Sequence, residues 1–326
     1  MNGHAIIILA LSLASCGKAD DRAEPDPATD RIAELHASAS ARLLKDFVQG
    51  DTWVVSRWDD SGAAERQGEG LLWSGVALSA LTCEDGNGIE AGLIAAITAH
   101  GGALVRIEPL GEYEGGREVT WDGAVGLYRG IAARATFCPG SAERWAPVIA
   151  LHVDYVDANG GQLNARAPAT IPEPLRYVLD LLAWRLGVGN EPNHGRLAAL
   201  ELAFAVQAAG VNATHAAAYR LNLALLSFQT VENLGISVSG GGRDRFCAAS
   251  RGVDIPTMDE WCGRGGLASW IDGFQFNAWE FRHQRAGAWE RPDGAPGLST
   301  PGLDILVAIV QAYALNLSME TDPNGP

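Results

Sequence analysis

Apolar residues recur every three to four positions along most of this chain, and that spacing constrains the fold more than any other feature. A period of 3.6 puts them on one face of a helix, and such faces are buried by packing helix against helix. Thr29 can cap a helix carrying Ile32, Leu35, Leu43, Leu44 and Phe47. A second carries Leu72, Val76, Ala80 and Leu81, and a third carries Ile89, Leu93, Ile94 and Ile97 before stopping at Gly101-Gly102. A fourth starts at Asp122 with Val125, Tyr128, Ile131 and Ala135. Ser141 caps a fifth, which sets Trp145, Val148, Ile149, His152, Val153 and Val156 on one face. Pro172 opens a sixth, Leu197 to Ala208 lie in a seventh, and Asn212 caps an eighth. Thr300-Pro301 opens a last one, apolar on several sides and so expected to be buried. Strand signals are weak and confined to Ala103–Leu110 and the segment around Trp53. About nine helices joined by short turns make an all-α domain. With 326 residues, 47% of them hydrophobic, the chain can bury a substantial core.

The first thirty residues carry a different message. Ala5 to Ala14 is an uncharged apolar run, too short to span a bilayer and suited to the core of a secretory signal. It ends in Leu13-Ala14-Ser15-Cys16, which resembles a bacterial lipobox. The resemblance implies that residues 1–15 are a signal peptide and that Cys16 is lipidated as the mature first residue. An ordinary signal with a coincidental cysteine is the alternative. Several acyl chains on one cysteine give stable anchoring, at about 0.8 kcal/mol per buried CH₂. Gly17, where a retention signal would place Asp, implies the outer membrane, with the domain facing the periplasm. Residues 16–30 read as a charged, proline-bearing tether and residues 31–326 as the helical domain. The partner this implies is a membrane, reached through Cys16. The net charge of −15 argues against nucleic acid, since an acidic surface releases no counterions from a phosphate backbone.

Four cysteines remain beyond Cys16, an even number for an oxidising compartment, and they allow three pairings. Cys83–Cys138 and Cys247–Cys262 are favoured. In stacked helical hairpins every second helix points the same way, so helices two and four end, at Cys83 and Cys138, on the same side of the bundle. A bridge there is worth about 4 kcal/mol in the chain-entropy model. The second bridge would staple the long connection from Gly235 to Thr300, an unusual length for a compact domain. No cysteine pair or nearby histidine has metal-ligand spacing, and Glu84-Asp85-Gly86 lacks the spacing of a calcium loop. No metal or other cofactor is expected.

Gly70–Leu81, Thr120–Arg134 and Ser299–Tyr313 resemble helices of the α/α-toroid, or six-hairpin, carbohydrate-active proteins. The resemblance is one of pattern and covers about half the chain. It implies an α/α-toroid-like array of helical hairpins, complete or incomplete, with a cleft where inner helices begin or end. The ligand it implies is a glycan. Glycoside cleavage needs two carboxylates roughly 5–9.5 Å apart, one of them kept protonated. Glu84, Asp85, Asp122, Asp272 and Glu280 lie at helix ends or in the long connection. Of these Asp122, Asp272 and Glu280 are the catalytic candidates, and Trp121, Trp270, Trp279, Arg282 and His283 the candidate sugar contacts.

Asp122 has two readings. As a helix cap it would stabilise its helix by about 1 kcal/mol. As a catalytic acid it would have Trp121 beside it, and Gly126 and Gly130 behind it would let a ligand approach; the same glycines would equally serve tight helix packing. The aromatic run from Trp261 to Trp289 is either a plug closing one end of the bundle or the wall of a binding site. His152, on an apolar stripe, reads as a satisfied core histidine, while His194 and His215 have no partner that the sequence names. Two functions follow. One is an envelope lipoprotein that binds a glycan and, with a suitable carboxylate pair, cleaves it as a hydrolase or a lyase. The other is a non-catalytic envelope scaffold or partner-binding lipoprotein.

Overall fold

The computed structural model describes most of residues 37–54, 70–105, 119–164, 170–200 and 227–236. Cys16, Cys247, Cys262, Asp272, Glu280, Trp270, Trp279, Arg282, His283 and His215 lie outside the described residues, as do the tether, the seventh helix after Leu200, the eighth helix before Ser227, the long connection after Ile236 and the closing helix.

Helix is the main structure of the described part, as the 3.6 period requires. Its helices are α1 (Gly70–Leu78), α2 (Asn87–Ala99), α3 (Trp121–Phe137), α4 (Ser141–Ala158) and α5 (Glu173–Arg185), with a 3-10 turn at His194–Arg196. Single helical positions at 37, 40, 41 and 43–45 mark the first predicted helix, and Leu43 is buried there. The segment around Trp53 is a strand: β1 (Val48–Gln49) pairs antiparallel with β2 (Trp53–Val54) across a turn that holds Gly50 at φ +56°. The stretch from Ala103 is not a strand over its described residues; Leu104 N–H donates once to Leu163 O, at 2.9 Å. Among the described residues no helix is long and apolar enough to cross a membrane.

α1 is the centre of this unit. All nine of its residues are buried, which suits a helix apolar on every side. The β-hairpin closes one flank, where Val54 N–H donates to Ser74 Oγ at 2.9 Å. α3 closes another at backbone distance. A Cβ on Gly75 would lie 2.2 Å from Gly126 O, and one on Gly130 would lie 2.3 Å from Gly75 O. Leu71 faces Gly123, Leu72 faces Gly126, and Gly75 faces Gly130, so the numbering rises together and the two helices run parallel. The glycines behind Asp122 are therefore occupied by α1.

The parallel pairing carries Cys83 and Cys138 to the same end, and they form a disulfide with Cα atoms 5.4 Å apart. Helix boundaries differ from the sequence reading in three places. α3 begins at Trp121, which sets Asp122 within the first turn. α4 is capped by Gly140 at φ +74°, and Ser141 is its first residue, with its hydroxyl turned inward to Glu90. α1 ends at Leu78, and Leu81 packs into the core from the turn beyond. α2 ends as expected, at His100, before Gly101 and Gly102 with positive φ.

Candidate functional site

The ends of α3 differ in character. At its start Trp121 is 44% exposed and Asp122 is half-buried, directly before the glycines that seat α1. At its finish lies the disulfide, about 24 Å along the axis from Asp122 at 1.5 Å per residue. Asp122 and Trp121 thus sit together, far from the staple. Of the other carboxylates considered from sequence, Glu84 and Asp85 are exposed in the turn after α1, where Asp85 Oδ2 accepts from Thr82 Oγ1 at 2.7 Å. Both are therefore at the staple end, apart from Asp122.

The disulfide end has a buried ionic cluster that the sequence did not disclose. Glu90 on α2 and Arg134 on α3 are each about 1% exposed. Glu90 Oε2 accepts from Arg134 Nη2 at 2.7 Å and Nε at 3.0 Å, and from Arg144 Nη2 at 3.0 Å; Oε1 accepts from Ser141 Oγ. Burial by itself would push the Glu90 carboxyl up. The donors of Ser141, Arg134 and Arg144, with the charge of Arg134, outweigh it and hold the carboxyl below its ordinary value. Glu90 is thereby an ion-pair partner and unsuited to donate a proton.

His152 has the role read from its position. Its ring is fully buried between Tyr128 OH, 2.8 Å from Nε2, and Gly102 O, 2.7 Å from Nδ1. The carbonyl needs a donor, so Nδ1 carries the proton and Nε2 accepts from the tyrosine. Burial pushes the imidazole down to about 4, the Gly102 carbonyl opposing and the charge of Arg176 assisting. Gly102 fits here because a Cβ on it would meet Leu151 O at 2.2 Å.

His194 gains partners the sequence could not name. Tyr177 OH lies 3.1 Å from its Nδ1 and Glu191 Oε1 3.2 Å from its Nε2, and its ring meets Trp184 edge-on. Around it runs a chain of alternating charge. Asp157 accepts from Arg176, Arg176 Nε donates to Asp180 Oδ1 at 2.7 Å, Asp180 Oδ2 accepts from Arg196 Nη1 at 2.6 Å, and Arg196 donates to Glu173. Arg185 covers the Trp184 ring at 4.4 Å and Arg196 stands over Tyr177 at 5.8 Å. One face of each ring is thus met by the chain's own guanidinium group, and the cluster ties α4, α5 and the 3-10 turn together. Spacing gave no hint of it, because its members are sixteen to twenty-three residues apart except within single turns.

Among the described residues no group of three or more His, Cys, Asp or Glu could hold a metal ion. Comparison with protein-family models, with curated proteins and with solved structures finds no match.

Proposed function

We propose that this is a lipid-anchored protein of the bacterial cell envelope whose helical domain binds a glycan at the Trp121–Asp122 end of α3. The observation that carries the reading is Trp121. Of the described tryptophans, Trp53, Trp73, Trp145 and Trp184 are buried or half-buried, and Trp121 alone is exposed. An exposed indole beside a half-buried carboxylate offers a sugar ring a stacking face and a hydroxyl acceptor. Asp122 is the acid for any cleavage, with its second carboxylate from the Asp272–Glu280 segment. The parallel neighbours α1 and α3, with α2 between them in sequence, agree with an α/α-toroid-like array, complete or incomplete. The anchor rests on Cys16 and its lipobox, and the Cys83–Cys138 disulfide agrees with an oxidising compartment outside the cytoplasm.

A non-catalytic scaffold is favoured by a different observation. Glu90, Asp157, Asp180 and Glu173 are each held by an arginine, which leaves them to the architecture. Screening the purified chain and Asp122→Asn against polysaccharide panels separates the readings. Cleavage lost in the variant with binding kept supports the acid role, while binding without cleavage in either protein supports a binding module. Cys16→Ser is expected to leave membranes for the soluble fraction; a variant still in the membrane fraction removes the anchor.

A further inference from the structure

Arg134 and Cys138 lie one helical turn apart at the end of α3, and Cys138 N–H donates to Arg134 O at 2.8 Å. The Arg134 guanidinium reaches toward the other cysteine. Nη1 donates to Thr82 O at 3.0 Å, and Nη2 donates to Cys83 O and Asn87 Oδ1, both at 2.8 Å. The turn is shaped around that group: a Cβ on Gly86 would meet Nη1 at 2.8 Å. Glu90 fixes the guanidinium from α2, and Ser141 and Arg144 fix Glu90 from α4. None of these contacts includes a sulfur atom. Besides the S–S bond, the Cys83 sulfur lies 3.6 Å from Phe137 O, so the Arg134 contacts tie the Cys83 backbone to α3 through atoms other than the sulfurs.

We propose that the Glu90–Arg134 cluster is the template for the Cys83–Cys138 disulfide. It assembles this corner in the reduced chain, presents the two thiols to each other and selects this pairing over those with Cys247 or Cys262. A buried ion pair suits the task because its directional hydrogen bonds give conformational specificity more readily than net stability. The chemistry is ordinary exchange with a disulfide oxidant. One cysteine thiolate attacks an oxidant sulfur, forming a mixed disulfide and releasing one oxidant thiol. The second thiolate attacks the protein sulfur of that intermediate, closing Cys83–Cys138 and releasing the other thiol. Two electrons pass to the oxidant, and the two cysteine protons end on the released thiols. The link can then be reduced and remade without dismantling the helices it joins.

The test uses the full chain, reduced and then equilibrated in glutathione buffers, with pairing read by differential alkylation and peptide mass mapping. In Glu90→Gln and in Arg134→Lys, which keeps the charge but cannot span Glu90 and both carbonyls, the equilibrium for closing Cys83–Cys138 is expected to fall at least about tenfold. Cys83 then appears in other pairings. The reduced chain and the Cys83→Ser/Cys138→Ser double variant are expected to keep the near-ultraviolet dichroism of buried Trp145 and Tyr128. Unchanged pairing in both charge variants overturns the template, and so does loss of that signal on reduction. Should those variants fail to fold, Asn87→Ala and Ser141→Ala each remove one partner. A smaller fall in the same direction is then expected, and no fall in either overturns the proposal.

Discussion

His152 offers a prediction whose size follows from its surroundings. In the unfolded chain its imidazole titrates near the ordinary 6.5, and in the folded chain near 4, because burial excludes the charged form. The depressed folded value fixes the sign. The stability contributed by the neutral ring is fully present above pH 6.5 and is lost as pH falls toward 4. The difference between the two states corresponds to about 3 kcal/mol in total, of which about 2 kcal/mol is lost between pH 7 and pH 5. Tyr128 stays protonated across this range, since burial raises its hydroxyl. Glu90 is held below its ordinary value of 4.5, so its loss comes at lower pH. His152→Gln is the matching perturbation: the amide can donate to Gly102 O and accept from Tyr128 OH, yet does not titrate. Urea unfolding at pH 7, 6 and 5 should show the wild-type chain losing about 2 kcal/mol more than the variant across the series. Equal losses in the two proteins would show that His152 does not set this pH dependence, as would an imidazole titrating near 6.5 in the folded chain by NMR.

Other substitutions probe the helix contacts. Gly126→Val sets a branched side chain where even a Cβ would lie 2.4 Å from Leu72 O, so α1 and α3 must part. The chain should lose at least about 3 kcal/mol, read as a lower urea midpoint. Arg134→Met leaves Glu90 buried with Ser141 and Arg144 alone, which should cost about 3–5 kcal/mol at neutral pH. Lowering the pH toward the carboxyl range should narrow that deficit as Glu90 protonates, and a deficit independent of pH would contradict the ion-pair account. Trp121→Ala, at an exposed position, should shift stability by no more than about 1 kcal/mol by the same denaturant assay.

The helices were legible where one face is apolar and a glycine or proline marks the end. α2, α4 and α5 have those features, and their buried faces are largely the predicted ones, from Ile89 and Leu93 to Trp145, Ile149 and His152. The Cys83–Cys138 bridge was legible because alternate helices of stacked hairpins are parallel, a rule that needs only the order of elements. Capping was harder to read. Ser141 looks like a cap by type, but its hydroxyl goes to Glu90, which lies on another helix and is invisible to local rules. The same holds for Glu90–Arg134 and for Tyr177–His194. Nothing in a sequence distinguishes a buried Glu or Arg from a solvated one until its partner arrives from a distant segment. Gly126 and Gly130 carried two readings from sequence, ligand approach or tight packing, and the contact with Gly75 assigns them to packing. Asp122 is placed beside Trp121 and away from the staple, within the first turn of its helix.

Glycan binding at the Trp121–Asp122 end of α3, as proposed, can be measured directly. The direct measurement is binding of the full chain and of Trp121→Ala to an array of bacterial envelope and extracellular polysaccharides, with the fold of each checked by circular dichroism. The native chain is expected to bind, with at least about a tenfold weaker affinity in the variant, the loss of one stacking face being worth over 1 kcal/mol. A native chain that binds none of the polysaccharides, or a folded variant that binds as well as the native chain, would rule out a glycan site at Trp121.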